Sequence, residues 1–165
     1  MSISVLYQSR IAVTKTFTGP YVSAVDPAIL IDQLSTSETS TASSTIPVTK
    51  DSAYQLTLSS GTGTIDLTAL IGVEGTASVD GTGLKVQYMK FRNLSTNANS
   101  ITVAKGASNG YGLNAAGTTW SIPISPGQEI LFKGNDSSPD VGSGAKTIDV
   151  TGTGSQVLEV AVVLG

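Results

Sequence analysis

Gly83-Leu84-Lys85-Val86-Gln87-Tyr88-Met89-Lys90-Phe91-Arg92-Asn93-Leu94 is the longest run of the chain without a turn former between its ends. Leu84, Val86 and Tyr88 share one parity and Lys85 and Gln87 the other, the period of two of a strand with one wet face. At Tyr88-Met89 the phase slips: Met89 and Phe91 are apolar, while Lys90 and Arg92 take the polar parity. Either a β-bulge there re-aims the chain, or the second half is covered on its other face by another subunit. In both cases the stretch reads as a central strand.

Strand grammar continues on either side of it. Tyr54, Leu56 and Leu58 alternate with Gln55 and Thr57, and Ser59-Ser60-Gly61-Thr62-Gly63 turns the chain into Ile65 and Leu67, which predicts a hairpin. Ile101-Thr102-Val103-Ala104 is expected to return beside the central strand. Trp120, Ile122 and Ile124 alternate with Ser121 and Pro123, and the proline suits a sheet edge. Pro126-Gly127 is a type II turn signal leading into Ile130-Leu131-Phe132, apolar on both faces. Residues 146–150 and 157–164 form a last expected pair around Thr151-Gly152-Thr153-Gly154. The final strand is almost continuously apolar, so it belongs in the middle of a sheet or under a neighbouring chain.

Short strands at this spacing, with loops of very different length between them, predict an all-β fold: an antiparallel β-sandwich, jelly-roll-like, over residues 46–165. Residues 1–45 read as an N-terminal arm or appendage. Within it, 2–10 is a first strand or an arm, 11–17 alternates until Gly19-Pro20, and Asp26-Pro27 is the cap of a short helix over 26–34. Ser, Thr, Ala and Glu dominate 35–45, which reads as a solvated linker.

Composition narrows the function. The chain has 165 residues, of which 39% are hydrophobic and 13% charged, about half the charged fraction of a typical soluble domain. So few charges suit a surface covered by partners. A net charge of −3 argues against nucleic acid as a partner. With no cysteine and no histidine, thiolate chemistry and the commonest general base are absent. The remaining carboxylates, among them Asp66, Glu74, Asp80, Glu129, Asp149 and Glu159, are scattered over polar strand parities and loops. A non-enzymatic protein without cofactor or metal is expected. Asn135, Asp136 and Asp140 are hard oxygen donors in one loop, the best of the weak calcium ideas. The opening Met1-Ser2-Ile3-Ser4-Val5-Leu6 lacks the basic lead of a secretory signal, and no apolar run approaches the ~20 residues of a membrane span. No membrane partner is expected, and the protein is expected to be made and assembled in a cytoplasm.

Four residues are candidate partner contacts. Among Tyr54, Tyr88, Tyr111 and Trp120, Tyr111 in Asn109-Gly110-Tyr111-Gly112 is the one expected to be exposed, as either a contact or a loop anchor. Lys85, Lys90 and Arg92 form the only local cationic cluster, a solvated face or a contact to an acidic surface.

Ile65-Asp66-Leu67-Thr68-Ala69-Leu70, Thr82-Gly83-Leu84-Lys85-Val86-Gln87, Gly106-Ala107-Ser108-Asn109-Gly110-Tyr111 and Ile124-Ser125-Pro126-Gly127-Gln128 together resemble small virion proteins of tailed bacteriophages, of the capsid decoration or cement type. The resemblance runs from about Tyr54 to the end of the chain. It implies a β-sandwich, often a homotrimer, that sits on the capsid and ties copies of the major capsid protein together in the virion. It supplies no contact residues. A carbohydrate-binding or adhesive module of a phage tail or cell surface is the alternative, and it would use an exposed aromatic near Tyr111.

Overall fold

The structure, a computed structural model, describes residues 3–16, 28–72 and 78–165. Twelve strands and no helix are found among them. Eight strands make the body: β3 (Lys50–Thr57), β4 (Thr62–Asp66), β7 (Val86–Asn93), β8 (Ile101–Lys105), β9 (Ser121–Ile124), β10 (Glu129–Lys133), β11 (Thr147–Thr151) and β12 (Val157–Leu164). They form two antiparallel four-stranded sheets, ordered β10-β7-β12-β3 and β4-β11-β8-β9. Two short strands, β5 (Leu70–Ile71) and β6 (Ser78–Val79), pair apart from these. With consecutive strands repeatedly changing sheets, this is the strand order of a jelly roll. The expected sandwich is therefore what the chain forms.

The core lies between the sheets. Phe91 and Met89 of β7 and Leu158, Val160, Val162 and Leu164 of β12 face Ile101, Val103, Ile148 and Val150 of the other sheet, all almost wholly buried. The strict alternation along β12 leaves Val157, Glu159, Ala161 and Val163 half-buried on the outside. β12 lies between β7 and β3, so its apolar character needs no neighbouring chain. Of the two expected places, the central one holds. In β10, an edge strand, Ile130 and Phe132 pack against the core while Leu131 stays 50% exposed.

The central strand also behaves as expected. Its pairing with β12 is regular from Asn93 to Tyr88 and then jumps to Val86, so the bulge falls at Gln87. On one side of it Val86 points to the core; on the other Met89 and Phe91 do. Tyr88, Lys90 and Arg92 are thereby aimed outward.

Three sequence-local pairings do not form. β3 and β4 lie in different sheets and share only the Ser59–Thr62 bridge; β7 and β8, and β11 and β12, are likewise divided. Turn residues fix where a chain reverses, not which free edge its next strand finds. In a jelly roll each of these reversals is an arch from one sheet to the other. The type II turn does form, with Gln128 N–H on Ser125 O at 2.9 Å and Gly127 at φ 81°, but it too joins opposite sheets.

The two Gly-Thr-Gly turns sit against each other. Gly61 N–H donates to Gly154 O at 2.7 Å, and Gly152 N–H to Gly61 O at 2.8 Å. Gly61 has φ 81°, and a Cβ there would lie 2.7 Å from Gly152 O. Gly61→Ala is expected to destabilise the fold by about 1–3 kcal/mol, through left-handed strain and the steric conflict together. A urea titration checks it; an unchanged midpoint would contradict this packing.

At the same sheet, Asp66 links β4 to the segment before β11. Its carboxylate accepts from Thr68 N–H (2.9 Å) and Oγ1 (2.6 Å) and from Lys146 Nζ (2.9 Å). Burial alone would push the Asp66 carboxyl up, but the Thr68 and Lys146 hydrogen bonds outweigh it and hold it below the usual carboxylate range. A depressed folded value means the contribution is present above the unfolded value, about 4, and is lost as pH falls through the folded one. The stability advantage of the wild type over Asp66→Asn should therefore be present at neutral pH and vanish on acidification below that range. A difference independent of pH would refute the assignment.

Before the sandwich stand β1 (Ser4–Thr16) and β2 (Ala28–Thr41), paired antiparallel along their length with an irregularity between Ile11 and Val13. Two expectations are corrected here. The helix over 26–34 is absent from its described part, since 28–34 belongs to β2. Four consecutive apolar residues, Ala28-Ile29-Leu30-Ile31, fit a strand as well as a helix turn, and the ladder to β1 decides. The linker at 35–45 is strand as far as Thr41, and Ser40 is fully buried. Gly19-Pro20, Asp26, Pro27 and Glu74 lie outside the described residues.

Candidate functional site

The outward face of the β10-β7-β12-β3 sheet is built in rows set by strand register. Glu129, Arg92, Glu159 and Gln55 align across the four strands; next come Leu131, Lys90, Ala161 and Ala53; then Lys133, Tyr88, Val163 and Asp51. The Gln87 bulge is what turns Tyr88, Lys90 and Arg92 to this side.

In the first row Arg92 Nη1 lies 3.3 Å from Glu159 Oε2, and Lys90 Nζ reaches back to Glu129 Oε2 at 2.8 Å. These pairs are solvent-facing and each is worth about 1 kcal/mol or less. Because both long cationic side chains lean toward glutamates, the second row is left low. Ala53 and Ala161 floor a trough of about 340 Å³, bordered by Lys90, Arg92, Gln55 and Glu159. Leu131, in the same row, is half exposed beside it.

The third row is covered by the root of the β1–β2 ribbon. Tyr7 stacks on Tyr88 with ring centroids 5.6 Å apart and an interplanar angle of 29°. Ser40 Oγ and the Tyr88 hydroxyl are hydrogen-bonded at 2.8 Å. Lys133 pairs with Glu38 and also sits 5.3 Å from the Tyr7 ring centroid. The Glu38 hydrogen bond raises the Lys133 ammonium above its ordinary value, against a smaller opposing effect of burial. The central strand is thus re-aimed by a bulge, and at Tyr88 its outer face is covered by the chain's own ribbon, while Lys90 and Arg92 beyond it stay open to solvent.

The four candidate contacts separate. Lys90 and Arg92 line the trough. Lys85 does not join them: its Nζ donates to Asp136 O and lies 3.9 Å from Asp140 Oδ1. That ammonium stands among the oxygens proposed for calcium, where it would repel a cation. Asn135 Oδ1 is already engaged by Ser137 N–H at 2.8 Å. Tyr111 is fully buried. Its hydroxyl accepts from Val86 N–H at 3.1 Å and donates to Pro139 O at 2.8 Å, so it anchors its loop and offers nothing to a partner. Tyr111 therefore does not supply the exposed aromatic that a carbohydrate-binding module would use there. A four-residue loop with two glycines could equally carry an exposed or an inserted tyrosine, and only tertiary packing separates the two.

Tyr7, Glu38, Ser40 and Lys133 had no sequence signal, because each is paired with a residue far away in the chain. Groups of three or more acidic side chains placed to hold a metal ion do not occur among the described residues. Comparison with known proteins gives no matching family model and no matching curated protein.

Proposed function

We propose that this is a non-enzymatic virion structural protein, a capsid decoration or cement protein that stabilises a phage head through contacts between its own copies and with the major capsid protein. The observation that carries the reading is a jelly-roll body preceded by a two-stranded ribbon. At 13 and 14 residues, β1 and β2 exceed every strand of the body, the longest of which have 8. An isolated two-stranded ribbon is at best marginally stable in water. One that meets its body through a row of contacts at the root is suited to reach a surface outside its own sandwich. The low charge content and the sequence resemblance point the same way, and the half-exposed Leu131 adds an apolar contact on an open sheet face. Such a protein gains its effect by repetition, each copy adding a modest buried area at about 25 cal/mol per Å² before ordering costs.

The test is reconstitution. Capsids prepared without this protein are mixed with it, and saturable binding together with a higher temperature of capsid disruption is the expected result. Absence of binding at micromolar concentration would sink the reading.

A further inference from the structure

The two large sheets end in β10 and β3 on one and in β4 and β9 on the other. Three of these edges are occupied or ill suited to pairing. β5 and β6 lie against β3, and the Ser52 hydroxyl donates to Ile71 O there. β9 carries Pro123, which has no N–H to give. β4 carries Gly63 and no exposed large apolar side chain. β10 differs: Leu131 at its centre is 50% exposed, and among the described residues no strand pairs with its far edge.

The register fixes which main-chain groups face that edge. Facing residues of an antiparallel pair alternate between those that exchange hydrogen bonds and those that do not. Gln128 O accepts from Asn93 N–H at 3.0 Å, and Gly134 N–H donates to Gln87 O at 2.7 Å. The even-numbered residues of β10 therefore bond to β7, and Glu129, Leu131 and Lys133 turn their N–H and C=O groups to the open edge. The side chains of these three share the outer sheet face, in the order acid, leucine, base. Glu129 and Lys133 are opposite in sign and equally far from Leu131. Within the copy, Glu129 pairs with Lys90 and Lys133 with Glu38.

We infer that β10 pairs antiparallel with β10 of a second copy about a two-fold axis at Leu131, joining the two β10-β7-β12-β3 sheets into one. A second copy is the matched occupant because the edge is its own complement, as an isologous contact requires. With Leu131 opposite Leu131, Glu129 of each copy faces Lys133 of the other. The three residues turned to the edge then meet as pairs that exchange both main-chain bonds. Charges alternate across the junction: Lys90, Glu129, then Lys133 and Glu38 of the second copy. A slip of two residues would set Leu131 against a charge, and a slip of one would turn the second copy's core face outward. Lys133 also touches the ribbon root, so the two ribbons start from opposite ends of the joined strands. A two-fold pair stands here in place of the trimer that the resemblance implies. The inference gives a surface to the self-association in the reading above and rests on that, not on its capsid.

Native mass of the full-length protein at micromolar concentration is the test. The wild type is expected at the mass of a pair. Leu131→Lys and Leu131→Glu each set like charges opposite one another at the axis, so each alone should have the mass of one chain. Residue 131 is half exposed and outward-facing, so both variants are compatible with folding. Mixed in equal amounts, they should recover a pair made of one of each, several-fold more abundant than the pair in either variant alone. Such rescue requires that position 131 meet itself across the contact. A wild type with the mass of one chain or of three, or a mixture that stays at the mass of one chain, would overturn the inference. A pair rescued in this way that ignores capsids would sink the cement function and leave the edge pairing standing; a single chain that binds capsids would do the reverse.

Discussion

Replacing Tyr111 by alanine is expected to remove about 3–5 kcal/mol of folding stability, a large part of what holds a domain of this size together. The side chain is fully buried within the main core cluster. It also joins parts of the sandwich that lie far apart in the chain. Its hydroxyl serves Val86 at the start of β7 and Pro139 in the loop before β11. Its own N–H donates to Thr147 O at 2.8 Å, and its carbonyl accepts from Trp120 Nε1 at 2.9 Å. Tyr111→Phe should keep the packing and lose only the hydroxyl, leaving the buried Val86 N–H and the part-buried Pro139 carbonyl short of a partner, for about 1–3 kcal/mol. Urea unfolding followed by the fluorescence of Trp120, the sole tryptophan, measures both variants. A Tyr111→Ala protein as stable as the wild type would return this residue to the surface. The phenol gives an independent check: burial, partly offset by the Val86 N–H, pushes Tyr111 up to about 12, so its ultraviolet titration should come well above that of an exposed tyrosine.

How far the fold could be read from the residues depends on the range of each interaction. The bulge in β7 was visible because a phase slip at Tyr88-Met89 is local. Likewise Pro126-Gly127 announces its turn, since proline fixes one torsion and glycine permits the positive φ that follows. The pairing of β3 with β12 and of β4 with β11 was not visible, because nothing in Tyr54 or Ile65 distinguishes a hairpin partner from a distant strand of equal hydrophobicity. At the candidate site, Lys90 and Arg92 were picked out by charge on one parity, and both line the trough. Ala53 and Ala161 were not, although their small size creates it; an alanine in a strand carries no signal until its neighbours are known. The helix expected at 26–34 failed for the opposite reason. A local preference, the Asp26-Pro27 cap, was set against a long ladder that β1 supplied from the other side of an 11-residue gap in the described chain.

Asn93→Ala is expected to cost about 2–4 kcal/mol, the loss of several buried hydrogen bonds at one end of the sandwich. Asn93 closes β7 and is fully buried. Its Nδ2 donates to Ile124 O at 2.8 Å, at the end of β9 in the opposite sheet, and to Asn99 O at 3.1 Å. Its Oδ1 accepts from Asn97 Nδ2, which also donates to Val157 O at 2.7 Å. Gln156 Nε2 supplies Asn99 O with a second donor at 2.6 Å. Alanine would leave Ile124 O without its Asn93 donor while Asn99 O keeps one, so the deficit falls chiefly on the contact between the sheets. Asn93→Asp separates hydrogen bonding from shape. At neutral pH it places a carboxylate against two carbonyl oxygens in a buried site, and its loss should be at least as large as that of alanine. Burial and the facing oxygens would raise the new carboxyl above its ordinary value, so the defect is greatest above the folded value. It lessens as pH falls through it, when the protonated acid regains one donor. Chemical denaturation of both variants at neutral and acid pH decides the matter: an aspartate variant whose deficit relative to alanine does not shrink on acidification would mean that Asn93 acts by filling space and not by bridging the two sheets.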